Sequence, residues 1–173
     1  MTAQTIAPAI VLRPARTADV HAIKNLVAPL AEKRILISKE SVTYFEAIQE
    51  FLIAEIDGEI VGCGALHVMW EDLAEIRTLA TTDTLRGRGI GRAIVEKLLV
   101  NARVLGVSRV FCLTFEVDFF LRSGFTVMAD QSVVDPAVYS ELLRSADEGV
   151  AEFLDLARVK PNTLGNTRMI CQL

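Results

Sequence analysis

The stretch Leu85–Leu99, LRGRGIGRAIVEKLL, sets three glycines among arginines directly before an apolar-periodic run. Glycine lets a ligand approach the main chain without meeting a Cβ. The first turn of a helix points free N–H groups, and the positive end of its dipole, at whatever precedes it. Arg86, Arg88 and Arg92 add positive charge around Gly87, Gly89, Ile90 and Gly91. Together they describe an anion site suited to a diphosphate; the alternative is a glycine-rich turn with solvated arginines. Spacing excludes two other phosphate motifs. A P-loop requires Lys-Ser/Thr after its last glycine, and none is present. A dinucleotide fingerprint requires a third glycine where this chain has Arg92.

The elements that must hold this loop can be read from periodicity. Ile90, Ile94, Leu98, Ala102 and Leu105 step by four or three and predict a helix with one apolar face. Before the loop, DLAEIRTLATT reads as a strand, and VSRVFCLTF follows the helix as a buried strand. EFLIAEI and EIVGCGALHV flank Asp57-Gly58, the pair preferred by a two-residue hairpin turn. Upstream, Ile10–Arg13 reads as a short strand. Thr17 reads as the N-cap of a helix to about Glu32, with Val20, Ile23, Leu26, Val27 and Leu30 facing inward. A second short helix starts at Lys39–Ser41. Downstream, VDFFLRS reads as a short helix ended by Gly124, FTVMA as a strand, and Asp135-Pro136 as a helix start. The tail holds a strand near its end and a loop over Pro161–Gly165. An early antiparallel hairpin with a later strand-helix-strand crossover defines a mixed α/β (α+β) class.

At 173 residues and 51% hydrophobic, the chain is sized for one domain over 1–173 with a substantial core. A net charge of −4 argues against nucleic acid as a general partner, and no apolar run suits a membrane span. The first residues lack the pattern of a secretory signal, so a cytoplasmic location is expected. Cys63, Cys112 and Cys171 sit in apolar runs and read as buried strand residues. With only His21 and His67 besides, no metal site is expected.

The element order, with RGRGIG between a strand and a helix, resembles the GCN5-related N-acetyltransferases (GNAT). Arg86, Gly89 and Gly91 satisfy that family's Gln/Arg-x-x-Gly-x-Gly/Ala motif, and FFLRSGF matches its short helix ending in Gly-Phe. The resemblance implies a GNAT fold, a mixed and mostly antiparallel sheet flanked by helices. It also implies acetyl-CoA as co-substrate, with the diphosphate on the loop amides. The pantetheine arm would lie on the main chain of Leu79, Ala80 and Thr81. More narrowly, EKRILISKE, AEIRTLAT, VFCLTFEVDFF and above all FLDLARVKPNTLGNTRM resemble the stand-alone amino-acid acetyltransferases that make N-acetylglutamate for arginine synthesis. That implies a small amino acid, L-glutamate, as partner, and leaves a homodimer open.

Acetyl transfer to an amine requires a base for the ammonium proton, stabilisation of the thioester oxygen, and stabilisation of the leaving thiolate. Under the resemblance Glu75 is the base; the competing reading is an exposed strand glutamate paired with Arg77. His67 is a reserve base, and Trp70 could line the acceptor pocket. A main-chain N–H at Leu79 or Ala80 would polarise the carbonyl. Many family members have Tyr where Phe120 stands, and phenylalanine has no proton to give. Thr114 could instead hydrogen-bond the sulfur, or be an ordinary strand threonine. Two substrate carboxylates call for cations: Lys39, Arg77 and Arg168, with Lys160 as a fourth. Arg77 shares a strand face with Glu75. Two rival functions stay open: acetylation of another amine, and a non-catalytic coenzyme-binding subunit.

Overall fold

The computed structural model describes residues 9–128, 134–154 and 165–173. Among the described residues seven strands form one sheet in the order β1-β2-β3-β4-β5-β7-β6. They are β1 (Val11–Pro14), β2 (Phe51–Ile56), β3 (Glu59–Trp70), β4 (Leu73–Thr81), β5 (Arg109–Thr114), β6 (Thr126–Val127) and β7 (Thr167–Gln172). β1 with β2, β2 with β3, β5 with β7 and β6 with β7 are antiparallel, and β4 with β5 is parallel. The helices are α1 (Val20–Glu32), α2 (Ser41–Glu46), α3 (Ile90–Val104), α4 (Val117–Leu121), α5 (Pro136–Leu142) and α6 (Glu148–Phe153). The mixed sheet, the hairpin and the crossover are as the sequence predicts.

The chain divides into two compact units, Met1–Leu66 with Thr78–Val100, and His67–Arg77 with Asn101–Leu173. In the first, Asp57 and Gly58 have φ of 52° and 82°, the left-handed pair a tight hairpin requires. The helix after Arg16 starts differently from the expectation. Thr17–Asp19 is a turn of 3-10 helix, and α1 begins at Val20. The main-chain N–H of Arg16 donates to Asp19 Oδ2 at 2.7 Å, so Asp19 rather than Thr17 organises the start. Arg13 donates to the same Oδ2 at 2.7 Å and to Oδ1 at 3.0 Å, and also grips Glu55. Val20, Ile23 and Val27 are buried, and Leu26 and Leu30 are partly buried beside them.

α3 buries Ile90, Ile94, Leu98 and Ala102, four of the five positions assigned to its apolar face. Leu105 is 61% exposed, because α3 ends at Val104 and its register no longer governs the next residue. Two glycines on β3 set how closely α3 can lie. A Cβ on Gly62 would stand 2.9 Å from Ile90 and Ile94, and one on Gly64 would stand 2.8 Å from Ile94. A side chain there must displace Ile90 and Ile94 or the helix that carries them.

In the second unit, Leu73, Ala74 and Glu75 of β4 pair with Arg109, Val110 and Phe111 of β5. Phe111 and Leu113 of β5 pair with Ile170 and Arg168 of β7. Paired residues share a sheet face, and the face repeats every second residue. One face therefore carries Leu73, Glu75, Arg77, Phe111, Leu113, Ile170 and Arg168. The three cysteines are buried strand residues, as expected.

Gly64→Val should cost about 1–3 kcal/mol through overpacking against Ile94 and Leu98. Urea unfolding of the variant beside the parent checks this; an unchanged midpoint would mean that α3 tolerates a wider spacing.

Candidate functional site

The glycine loop begins where β4 ends. A 3-10 turn, Asp83–Leu85, is followed by Gly87 and Gly89, with φ of 83° and 82°. Both are in the left-handed region that favours glycine, and a Cβ built on either meets nothing within 4 Å. Ala93 donates the first intrahelical hydrogen bond of α3, to the Gly89 carbonyl at 2.9 Å. The amides of Ile90, Gly91 and Arg92 precede that bond, so the helix interior offers them no carbonyl. Open space above the glycines and a run of helix-start amides fit a phosphate group. Arg88 is exposed, and Arg92 pairs with Glu96 one turn on at 2.7 Å.

The second unit holds a charged cluster. Glu75 is only 6% exposed. Arg77 donates to Glu75 Oε2 through Nε at 2.9 Å and through Nη2 at 2.5 Å. The same guanidinium donates to Asp147, from Nη1 to Oδ2 at 3.0 Å and from Nη2 to Oδ1 at 2.9 Å. His67 Nε2 lies 3.6 Å from Asp147 Oδ2. Asp147 also caps α6, accepting the N–H of Val150 at 3.0 Å. Glu75 thus pairs with Arg77 as the competing sequence reading proposed, but in a buried place rather than an exposed one.

The packing that builds this cluster comes from α6, which the sequence did not disclose. Six residues are too few for a stable helix alone. Val150, Phe153 and Leu154 are buried in a cluster with Met69, Leu73, Phe111 and Leu142. Phe153 meets Phe111 edge to face at 5.4 Å. Burial of such side chains contributes roughly 1.5–3 kcal/mol each. Docking on this apolar base brings the start of α6 against Glu75 and Arg77. Gly149 is the contact point: a Cβ there would run into the Glu75 carboxylate and come within 2.8 Å of Arg77 Nη2.

Two carboxylates and one guanidinium are neutral only when one proton is added. Burial pushes the Glu75 carboxyl above its ordinary value of 4.5, and the nearby charge of Asp147 adds to the rise. Arg77 pulls the other way, yet its fork is divided between two acids. Asp147 is also pushed up by burial, but Arg77 and the Val150 N–H outweigh this and hold it below the usual range. Burial pulls Arg77 down, and its two carboxylates more than restore it. Glu75 is accordingly the member of the cluster that takes the proton.

The remaining candidates fall as follows. Arg168 is half-buried on β7, on the same sheet face as Glu75 and Arg77. Lys39 is half-buried in the segment between α1 and α2, in the first unit. Arg77 is engaged by two of the protein's own carboxylates, which makes it a bridge inside the cluster. Thr114 is buried at the end of β5, where its Oγ1 accepts the N–H of Glu116 at 2.9 Å. Phe120 is a core residue, edge to face with Phe119 and Phe125 at 5.0 Å. Leu79, Ala80 and Thr81 complete β4, immediately after Thr78, whose φ of 55° is rare for a β-branched residue. Lys160 lies outside the described residues. Among those described, no group of His, Cys, Asp or Glu is arranged to hold a metal ion.

Asp147, Gly149 and Thr78 are the residues that sequence reasoning missed. The only hint of α6 is an aspartate three positions before Val150, with Glu148 in the first turn.

The model of the acetyltransferase (GNAT) family matches residues 21–125, and the chain belongs to that family. It is an acetyltransferase, with the family's fold. The chain is 55% identical over 166 residues to a protein named amino-acid acetyltransferase from Mycobacterium tuberculosis, covering 94% of each. It superposes with a TM-score of 0.88 on the crystal structure of Rv2747 from Mycobacterium tuberculosis in complex with CoA and the ligand NLQ, covering 94% of this chain and 99% of that one. N-acetylglutamate synthase from Neisseria gonorrhoeae, complexed with coenzyme A and N-acetyl-glutamate, superposes with a TM-score of 0.76 at 25% identity. That match covers 97% of this chain and 36% of the synthase.

Arg77→Met should destabilise the protein by about 3–5 kcal/mol at pH 7.5, since it leaves two carboxylates facing each other without a cation. Their folded-state pKa values then rise, so the stability deficit grows with pH through that range and shrinks toward pH 5. Urea unfolding at both values measures it; a deficit that is equal at both, or below 1 kcal/mol, would contradict the bridging role.

Proposed function

We propose that the protein transfers the acetyl group of acetyl-CoA to the α-amine of L-glutamate, giving N-acetylglutamate, at the start of arginine synthesis. The observation that carries the chemistry is the buried Glu75 carboxylate, held by Arg77 and raised above the ordinary carboxylate range. Support for the coenzyme comes from the glycine loop and from two related structures that contain CoA. Support for an amino-acid acceptor comes from the relative's name and from the N-acetyl-glutamate bound to the gonococcal synthase.

In this reading Ile90, Gly91 and Arg92 offer main-chain amides to the diphosphate, with Arg86 and Arg88 supplying charge. The main chain of Leu79, Ala80 and Thr81 receives the pantetheine arm, and an N–H at Leu79 or Ala80 polarises the thioester carbonyl. Glu75 accepts one proton from the substrate ammonium, directly or through a water. The freed amine forms the new C–N bond at the carbonyl carbon as the C–S bond breaks, and coenzyme A leaves as thiol or thiolate. A thiol pKa of about 8.5 lets this departure proceed without a strong acid, so Phe120 in place of a tyrosine is no obstacle. Thr114 is the candidate to hydrogen-bond the sulfur. Arg168 and Lys39 are the cations for the glutamate carboxylates.

Coenzyme release with a panel of amino acids tests the acceptor: glutamate should be preferred, and release with none of them would overturn the assignment. Glu75→Gln should lower kcat by ~10²–10⁴-fold with little change in coenzyme affinity. In the parent enzyme, kcat should fall as pH drops through the raised Glu75 value, because a protonated carboxyl is no base. Near-normal turnover of the Gln variant would shift the role to His67 or solvent.

Arg168→Ala should raise the KM for glutamate tenfold or more, given ~1.5–3 kcal/mol for a hydrogen bond to a charged group. The KM for acetyl-CoA should stay nearly fixed. Arg168→Lys keeps the charge and loses the planar fork, so it should lie between. Equal changes in both Michaelis constants would remove Arg168 from the acceptor site.

A further inference from the structure

Asp147 belongs to α6, far from Glu75 in sequence, yet three interactions fix its carboxylate. It takes two hydrogen bonds from Arg77, caps α6 through the Val150 N–H, and stands 3.6 Å from His67 Nε2. A helix cap needs only one of these contacts, and serine or asparagine would supply it. The carboxylate does something a cap does not require: it occupies the half of the Arg77 fork that Glu75 leaves. Gly149, two residues on, is the only residue type that lets the helix start come this close to Glu75.

We propose that Asp147 is a positioning residue for the acetyl transfer, which sets the basicity of Glu75 by sharing Arg77 with it. This inference rests on Glu75 being the base. With Asp147 ionised, the guanidinium charge is divided, and the buried cluster gains from one added proton. With a neutral residue at 147, Arg77 belongs to Glu75 alone. Ionised Glu75 and Arg77 then form a balanced pair, and the carboxylate has less reason to accept a proton from substrate.

The charged groups that act most on Glu75 lie on three elements, and Arg168 of β7 shares its sheet face. Arg77 lies on its own strand and lowers its pKa; Asp147 at the start of α6 raises it; His67 on β3 lowers it when protonated. Cys112 on β5 is a further titratable neighbour among the described residues, and burial keeps its thiol protonated well above the ordinary range. Of these, Asp147 alone favours the protonated form of Glu75 through its charge. Burial favours it too, and an isosteric change at 147 leaves that burial in place.

The test compares Asp147→Asn and Asp147→Ser with Glu75→Gln and the parent, reading kcat against pH and both Michaelis constants. In both Asp147 variants the acid limb of kcat should move to lower pH by roughly one unit or more. The plateau should fall severalfold, because the base has become weaker. Both KM values should stay close to the parent's. Serine caps helices as well as aspartate does, so a purely structural Asp147 predicts that the Ser variant keeps the parent's limb and plateau. That outcome, with Glu75→Gln still collapsing kcat, would overturn the inference and spare the base. If Glu75→Gln keeps its turnover, the base assignment fails and this inference fails with it. Melting curves sort out misfolding: should Asn and Ser both fail to fold, Asp147→Glu must restore the parent's limb, and a shifted limb there counts against the proposal.

Discussion

A guanidinium held between two carboxylates, with little water to share the load, has no neutral arrangement unless one acid keeps a proton. That constraint governs the second unit. Arg77 can satisfy Glu75 and Asp147 geometrically, because its planar fork presents donors on two sides. It cannot balance both charges. The more exposed acid, also fed by the Val150 N–H, keeps its charge, and the more buried acid bears the deficit. The same arrangement that ties α6 to β4 therefore leaves Glu75 poised to accept a proton, which is the property an acetyltransferase needs of a base. In the proposed mechanism, stability and chemistry draw on one interaction.

The apolar packing beneath the cluster explains why so short a helix can bear this role. Phe153 against Phe111, with Val150 and Leu154 beside them, anchors α6 by its apolar face. The helix start is then fixed in place, and glycine at 149 removes the one atom that would hold it off. In the first unit a comparable device operates on a larger scale. Gly62 and Gly64 let α3 lie close to β3, which fixes the helix whose first amides face the loop. Glycine thus serves two purposes in this chain: close approach at Gly62, Gly64 and Gly149, and left-handed backbone at Gly87 and Gly89.

Much of this was legible in the amino-acid sequence, for local reasons. Asp57-Gly58 announces a hairpin because few residue pairs accept two left-handed conformations. The glycine-arginine run announces a left-handed turn into a helix because Gly87 and Gly89 precede the apolar stripe of α3 directly. The alternation of β4 placed Arg77 on the same face as Glu75. What escaped was non-local or atypical. Nothing in the spacing links residue 147 to residue 77, which are 70 positions apart. Glu75 read as a base or as an exposed strand glutamate paired with Arg77; its burial could not be read, since α6 decides it. Thr78 adopts a left-handed conformation that its side chain gives every reason to avoid. Thr17 looked like a cap, but Asp19 accepts the Arg16 N–H more favourably, with Arg13 behind it. Leu105 continued a pattern that the helix itself did not.

The central claim is that Glu75 retains a proton more readily than an ordinary carboxyl while buried beside Arg77. Carboxyl-labelled glutamate observed by carbon NMR across a pH titration tests it most directly, with Glu75→Gln identifying the resonance. The account predicts a midpoint above 4.5 for that carbon. A midpoint at or below that value would show that Arg77 serves Glu75 first, and would contradict the account.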